Sequence, residues 1–510
     1  KAIVLGSGVY RIGSSVEFDW CAVNMIWGLK DQGVSEVITI NCNPETVSTD
    51  YDISDKLYFE ELSYERVLDI YERESPRRIV LCVGGQTSNN LAPFLSKSGV
   101  KILGTTTQDI DRAEDRSKFS KLMDRLGVKQ PRWTTAASPS EAFPVLVRPS
   151  YVLSGAAMKV ADTEAELEEY ITQAASVSKR YPVVVSKFFD NAREVEVDGV
   201  SDGEGHTIGF ILEHIDPAGI HSGDATVVTP SGKLSTTLRE RLHEHSRQIA
   251  TALCIKGPFN IQYLAVGDEI YVIECNSRSS RSMPFVSKVY GINLMEEAAK
   301  VVLGRKNLIE NPPIVRDHIQ RGVKFPKFSF VRLSGASPVT GVEMKSTGEV
   351  ASIGGDFYDA YRKAMFSANA RLSKKELGVF VACNTEAQWE LMERLAVDLH
   401  RVGHRLYAIP SLVERLAASG TPASPLTADG EHSSFYAAVS EHKIDVVIDI
   451  PWYSPETVGS AHDPSFGIIA AGYDALVISN TGTAKAFVHT IRETSSRGLR
   501  IEFLEDYTNV

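Results

Sequence analysis

Short apolar runs at 3–5, 37–40, 79–83 and 101–103 alternate with stretches in which apolar residues recur every three or four positions. That rhythm predicts a parallel sheet with crossover helices over residues 1–115. In the first helical stretch Val16, Trp20, Val23 and Trp27 share a face, and Ser14 followed by Glu17 has the form of a capping box. From 116 to 305 the strands become hairpin-like, at 182–187, 193–198, 206–214 and two long strands within 257–275. A long helix with Leu234, Leu238, Leu242, Ile249 and Leu253 on one face intervenes, so this region is α+β. Residues 306–374 carry fewer periodic signals, and Asn311-Pro312-Pro313 and Phe325-Pro326 predict a connector leading into smaller elements. After 375, strands at 378–382, 405–409, 445–450 and 475–479 with helices at 386–402 and 483–494 predict a separate doubly wound α/β unit reaching 510.

The length of 510 residues suits such a division at roughly 100–200 residues per domain. With 54 Lys and Arg against 65 Asp and Glu, the net charge of -11 argues against nucleic acid as partner. The six cysteines stand far apart without a C-x-x-C, which predicts reduced core thiols and a reducing compartment. No apolar run approaches bilayer length and no charged leader precedes an apolar stretch, so no membrane association and a cytoplasmic location are expected, with a mitochondrial one left open. The chain starts without Met, directly on a strand, which predicts a piece of a longer polypeptide.

Two glycine-rich turns end parallel strands. In the first, Gly6-Ser7-Gly8-Val9-Tyr10-Arg11, Arg11 stands where a dinucleotide fingerprint needs its third glycine, so a nicotinamide site is not expected. Its backbone N–H groups could meet an anion, or the loop could be a tight turn for sheet packing; the same alternatives hold for Gly84-Gly85-Gln86.

The sharpest local signal pairs Asn260-Ile261-Gln262 with Glu274-Cys275-Asn276. A three-residue loop, Gly267 to Glu269, sets Gln262 opposite Glu274 and Asn260 opposite Asn276, gathering a carboxylate and three amides on one sheet face. Oxygen ligands of this kind suit Mg²⁺ with a nucleotide triphosphate. The alternative is a solvated polar strand face, although Ile261, Tyr263 and Ile273 already supply an apolar face for the core. Arg278 and Arg281 follow at once, giving fixed positive charge for a transferring phosphoryl group or an ordinary basic turn. The loop Gly219 to Asp224 could clamp a ligand or be a turn, and the small residues Ser154 to Ala157 after Arg148-Pro149-Ser150-Tyr151 could move as a flap. His243-Glu244-His245 is not H-E-x-x-H and belongs on a solvated helix face.

Together these segments resemble the large subunit of carbamoyl phosphate synthetase, specifically its C-terminal synthetase half with the attached regulatory domain, in wording nearest the eukaryotic type. The likeness rests on Leu5-Gly6-Ser7-Gly8, Ser14 to Trp20, Asn43 to Asp50, Gly84-Gly85-Gln86, Arg148 to Gly155, Gly219 to Asp224 and Pro284 to Lys288, and covers about 1–370. It implies a Rossmann-like pre-ATP-grasp domain (1–115), an ATP-grasp domain (116–305), a connector completing the synthetase half (306–374) and a methylglyoxal-synthase-like α/β regulatory domain (375–510). It further implies ATP-dependent phosphorylation of carbamate to carbamoyl phosphate, feeding pyrimidine or arginine and urea synthesis. Residue by residue, Gln262, Glu274 and Asn276 match the metal ligands for Mg²⁺ or Mn²⁺. Arg116 and Arg148 match phosphate-contacting arginines, Lys187 and Phe189 the strand meeting adenine, and Glu194 the ribose-binding carboxylate. Gly219, Ile220, His221 and Ser222 match the loop lining the nucleotide, and that loop with His214 and Asp216 resembles a K⁺ site. Arg278 and Arg281 match the residues near the transferring phosphoryl group.

The resemblance also implies partners: ATP and carbamate or bicarbonate, an N-terminal synthetase half, a glutaminase, a second copy of this half, and a small-molecule effector on the last domain. Departures from the family pattern are Ser277 where proline is usual, a chain short of most of a helix between Ala142 and Phe143, and Tyr407 to Ser411 without the threonines that often bind an effector. Another ATP-grasp carboxylate ligase is disfavoured by the match over 14–50. The alternative from a different class is a nucleotide-binding regulatory module without turnover, against which the Gln262, Glu274 and Asn276 set speaks.

Overall fold

The computed structural model describes all residues except 136–142, 150–154, 178–182, 190–191, 306–307, 309–319, 333–334, 384–385, 428–432, 451–464 and 509–510. Ser150 to Ser154, which includes the start of the small-residue stretch Ser154 to Ala157, together with Pro182, the Asn311-Pro312-Pro313 break and Glu141-Ala142, therefore lies outside the described residues.

The first sheet is five-stranded and wholly parallel, in the order Lys56–Phe59, Val37–Asn41, Ala2–Leu5, Arg78–Val80, Ile102–Leu103. Lys56–Phe59 is absent from the sequence expectation because its burial is weak, with Lys56 and Phe59 exposed at the sheet edge. The first helix, Val16–Asp31, keeps half of its predicted face: Val23 is buried and Trp20 packs against the core, whereas Val16 and Trp27 are 57% and 46% exposed and Phe18, Cys21, Ala22, Met25, Ile26 and Leu29 are buried as well. It lies between its own sheet and the helix Leu294–Val302, and a Cβ on Gly28 would meet the Ala299 Cβ at 2.8 Å. The capping box does not form either. Ser15 is the N-cap without a side-chain cap, and the Ser14 hydroxyl donates to the Ser7 carbonyl at 3.3 Å.

A seven-stranded antiparallel sheet follows in the order Glu269–Asn276, Lys256–Val266, Arg193–Asp202, Thr207–Pro217, Val227–Thr229, Arg321–Lys327, Gly348–Gly354. The last two strands come from the 306–374 stretch and complete the same sheet. The helix Thr236–Ala252 covers one face, and the five leucine and isoleucine positions of its predicted stripe are all buried in one cluster. Opposite stands a four-stranded sheet, Trp133–Thr134, Val184–Lys187, Val145–Arg148, Lys159–Ala161, backed by Glu164–Val177. The cleft between these two sheets is the functional focus.

Beyond the helix Phe357–Ala368 a second parallel sheet has the order Ser424–Pro425, Arg405–Ala408, Gly378–Cys383, Val446–Ile450, Leu476–Ile478. Its core is continuous with Val323, Phe325 and Tyr361 of the preceding region. At the seam the Asp216 carboxylate accepts from Asn480 Nδ2 and Thr483 Oγ1, both at 2.7 Å. No cysteine is disulfide-bonded among the described residues; four are buried, Cys42 is half-buried and Cys254 is exposed. No helix of the described residues is long and apolar enough to cross a membrane.

Candidate active site

The hairpin of Lys256–Val266 and Glu269–Asn276 pairs Gln262 with Glu274 and Asn260 with Asn276, as alternation predicts at that end. The turn differs. Val266 pairs with Glu269, so the loop has two residues, with Gly267 at φ +58°, and Ile273 is inserted as a bulge between the Tyr263–Val272 and Gln262–Glu274 pairs. A shorter turn and one extra residue cancel, leaving the register at the site unchanged. The bulge also moves Ile273 out of the predicted core face and into the cleft lining, while Ile261, Tyr263 and Cys275 are buried. The freed Ile273 carbonyl accepts from Arg148 Nη2 at 2.7 Å.

Glu274 is the electrostatic centre. Arg116 Nη2 donates to its Oε2 at 2.5 Å and Arg148 Nη2 lies 3.9 Å away. Burial pushes the carboxyl up, but the two guanidiniums outweigh it and hold Glu274 down at about 2. Burial, helped by Arg116, pulls Arg148 down to about 9, so it stays charged at neutral pH. Asn276 Nδ2 donates to Glu274 Oε1 at 3.1 Å and to Asn260 Oδ1 at 3.2 Å, and Gln262 Nε2 donates to Ser222 Oγ at 3.2 Å. An ionised carboxylate with two amide side chains on one sheet face is an oxygen donor set that fits Mg²⁺.

Both later arginines reach the same end. Arg278 donates from Nε to Gln86 Oε1 at 2.9 Å and from Nη2 to Asn276 Oδ1 at 3.3 Å. Arg281 stands 3.5 Å from both Glu17 and Glu349, and its Nη1 meets Met344 Sδ at 3.1 Å. Gly223 leaves room for it, since a Cβ there would come within 2.6 Å of Arg281 Nη1. At the other end Phe189 packs on Tyr271 with ring centroids 5.0 Å apart, and Lys187 Nζ donates to the Phe143 carbonyl at 3.3 Å. The backbone of Gly219, at φ +94°, passes so close to Phe188 that a Cβ would lie 2.6 Å from its ring. In all, Arg116, Arg148, Lys187, Phe189, Glu194, Gly219, Ile220, His221, Ser222, Gln262, Glu274, Asn276, Arg278 and Arg281 line one cleft.

At the cleft floor His214 Nε2 meets Glu196 Oε1 at 2.8 Å, and Glu194, Glu196 and His214 each bring a ligand atom within 4.8 Å of the others. Burial works against both members of the pair, yet His214 holds the Glu196 carboxyl below its ordinary value, and Glu194 and Glu196 hold the imidazole above its own. Burial lifts Glu194 to about 7. Asp216 does not join this cluster. Between Glu213 and Pro217 the strand carries two residues more than its partner segment Arg193 to Val195, and Asp216 turns to Thr226, Asn480 and Thr483 instead.

Sequence reasoning missed Lys324, Glu196, Glu114 and Met344, which also line the cleft. Lys324, 3% exposed, donates to Glu349 Oε2 at 3.0 Å and to the Ser222 carbonyl at 3.1 Å. A lysine between Val323 and Phe325 was the available signal, since strict alternation puts it on the face opposite two core residues.

The sheet pair and its cleft define an ATP-grasp architecture of the biotin carboxylase kind. The chain is similar in fold to the biotin carboxylase domain of the Hydrogenobacter thermophilus 2-oxoglutarate carboxylase, with TM-score 0.57, 16% identity, 72% of this chain and 89% of that one. It is likewise similar to biotin carboxylase from Campylobacter jejuni, with TM-score 0.55, 17% identity, and 72% and 90% coverage. Residues 1–112 match the family model of the carbamoyl phosphate synthase preATP-grasp domain, and 115–309 that of the carbamoyl-phosphate synthase L chain, ATP binding domain. The chain belongs to the carbamoyl-phosphate synthase large-chain family. It is 47% identical over 464 residues to multifunctional protein pyr-3 of Neurospora crassa, covering 88% of this chain and 25% of that protein. It is 45% identical over 509 residues to multifunctional protein pyrABCN of Emericella nidulans, covering 96% and 22%. With mitochondrial carbamoyl-phosphate synthase [ammonia] of Rattus norvegicus the identity is 44% over 470 residues, covering 88% and 31%. The chain thus spans about a quarter of the length of these relatives.

Proposed function

We propose that this chain phosphorylates carbamate with ATP, giving carbamoyl phosphate and ADP, as the C-terminal synthetase half of a carbamoyl phosphate synthetase. The observation that carries it is the ionised Glu274, flanked by Gln262 and Asn276, with four arginines converging on the same end of the cleft. Gln262, Glu274 and Asn276 hold the metal, Mg²⁺ with Mn²⁺ as substitute, which when bound neutralises phosphate charge. Arg116 and Arg148 hold the phosphates, Lys187 and Phe189 the adenine, Glu194 the ribose, and Gly219 to Ser222 line the nucleotide. A carbamate oxygen attacks the γ-phosphorus in line while Arg278 and Arg281 offset the charge that builds on the transferring phosphoryl group, so no protein nucleophile is needed. K⁺ takes the Gly219 to Ser222 loop with His214; the buried Glu194 and Glu196 beside His214 support a cation there, while Asp216 turns to Thr226, Asn480 and Thr483.

The division into 1–115, 116–305, 306–374 and 375–510 gives the last unit the role of a methylglyoxal-synthase-like regulatory domain that takes a small-molecule effector; its parallel five-stranded sheet supports this. An N-terminal synthetase half, a glutaminase and a second copy of this half are the partners, in the cytoplasm or a mitochondrion, within pyrimidine or arginine and urea synthesis. The test is ATP formation from carbamoyl phosphate and MgADP. Activity lost in Glu274→Ala but kept in an exposed control such as Tyr51→Ala supports the proposal. Tight nucleotide binding without turnover would favour a regulatory module instead.

A further inference from the structure

The Gly84-Gly85-Gln86 turn lies at the seam between the first domain and the cleft, and the assignments above leave it without a role. Two glycines are required there. A Cβ on Gly84 would sit 2.1 Å from the Gly6 carbonyl oxygen and 2.2 Å from Ser88 Oγ, and Gly85 has φ +66°. The tight turn buries Gln86 to 4% exposure and aims it at the loop that follows Glu269–Asn276.

Arginine Nε can only donate, so the atom of Gln86 facing Arg278 Nε at 2.9 Å must be the amide oxygen. The amide nitrogen then needs acceptors and has two: Asn90 Oδ1 at 2.8 Å and Glu114 Oε2 at 3.3 Å. Glu114 is itself fixed, because Asn89 Nδ2 donates to its other oxygen at 3.1 Å. On the far side Arg278 donates from Nη2 to Asn276 Oδ1 at 3.3 Å and from Nη1 to the Ser279 carbonyl at 3.2 Å. With Nε, Nη1 and Nη2 each held, the planar fork cannot turn. Gln86 supplies the only one of these three contacts that comes from the first domain.

We infer that Gln86 is a positioning residue for Arg278, and that Glu114 holds its amide in the orientation this requires. The inference rests on the phosphoryl-transfer role proposed for Arg278. A hydrogen bond to a charged group of this kind corresponds to roughly a tenfold to hundredfold effect when its partner is removed.

Three variants test it in the carbamoyl phosphate plus MgADP assay. Gln86→Met keeps the length without the acceptor and should lower kcat by about ten- to hundredfold with KM for MgADP within about twofold. Gln86→Glu keeps an acceptor for Arg278 but sets it against the Glu114 carboxylate, so it should also be impaired. The double variant Gln86→Glu/Glu114→Gln restores one donor and one carboxylate in exchanged positions and should recover to within about threefold of wild type. Overturning results are a Gln86→Met kcat within about twofold of wild type, a KM rise matching the kcat loss, or a double variant no better than Gln86→Glu alone. A misfolded Gln86→Met leaves the comparison of Gln86→Glu with the double variant to decide. Should the wild type make no ATP, the phosphoryl-transfer proposal fails, and the Arg278 Nε–H resonance still tests the inference. Slow solvent exchange in wild type and the double variant but fast exchange in Gln86→Met supports it; equal exchange in all overturns it.

Discussion

Replacing Arg116 with Met removes the nearest of the charges that keep Glu274 ionised in a buried place. Glu274 falls from an ordinary 4.5 to about 2, a difference of about 2.5 units, or about 3 kcal/mol at 1.36 kcal/mol per unit. Burial opposes the two guanidiniums, so their combined pull exceeds this net figure, and Arg116, at 2.5 Å against 3.9 Å for Arg148, carries the larger share, about 2 kcal/mol as a lower bound. Because the folded carboxyl is depressed, this stabilisation is full above pH ~4.5 and disappears as the pH falls through about 2. Arg116→Met should therefore lower the melting temperature at pH 7 by about 4–8 °C, on the scale for a domain of about 200 residues. The gap from wild type should narrow as the pH drops below ~4.5. Arg116→Met/Glu274→Gln should recover most of the loss, since it removes the uncompensated charge together with its partner. Differential scanning calorimetry across pH ~2 to 7 reads all three. A single variant within about 1 °C of wild type at pH 7, or a double variant no more stable than the single, would refute the reasoning.

Phe189→Ala removes a ring packed at a tilt against Tyr271 and should raise KM for MgADP about tenfold with kcat little changed; an unchanged KM in the steady-state assay counts against the adenine assignment. Glu194 titrates the opposite way from Glu274. Burial lifts it to about 7, so its stabilisation is full below pH ~4.5 and is lost as the pH rises through 7. Relative to wild type, the melting temperature of Glu194→Gln should therefore shift in the variant's favour by several degrees between pH 5 and pH 8, and a pH-independent difference would contradict this. Gly482→Ala would place a Cβ 2.4 Å from the Ile215 carbonyl oxygen, beside the Asp216 contacts to Asn480 and Thr483. It should loosen the last unit, seen as faster proteolysis between 369 and 378; an unchanged cleavage rate argues that the seam tolerates the shift.

The parts of the site that were legible in the sequence are those fixed by parity. Gln262 and Glu274 face each other because strand side chains alternate, and a turn one residue shorter than expected with one bulged residue preserves the sum that pairs them. The parts that were not legible depend on elements distant in the chain. The face of Val16–Asp31 is set by Leu294–Val302, through the approach of Gly28 to Ala299, so local periodicity found Trp20 and Val23 but misplaced Val16 and Trp27. Lys324 looks like a solvent-facing strand residue until Gly348–Gly354 brings Glu349 beside it. Asp216, two residues after His214, belongs on the same face by alternation, yet the extra residues before Pro217 turn it toward Thr483. Lys324 and Asp216 are buried only because their partners arrive from other elements, and an isolated group of that kind would cost several kcal/mol. The arrangement of the cleft therefore depends on the packing of the first domain and the 306–374 strands against the ATP-grasp domain. Glu17 and Gln86 from the first domain and Glu349 from the later strands reach the cleft arginines directly.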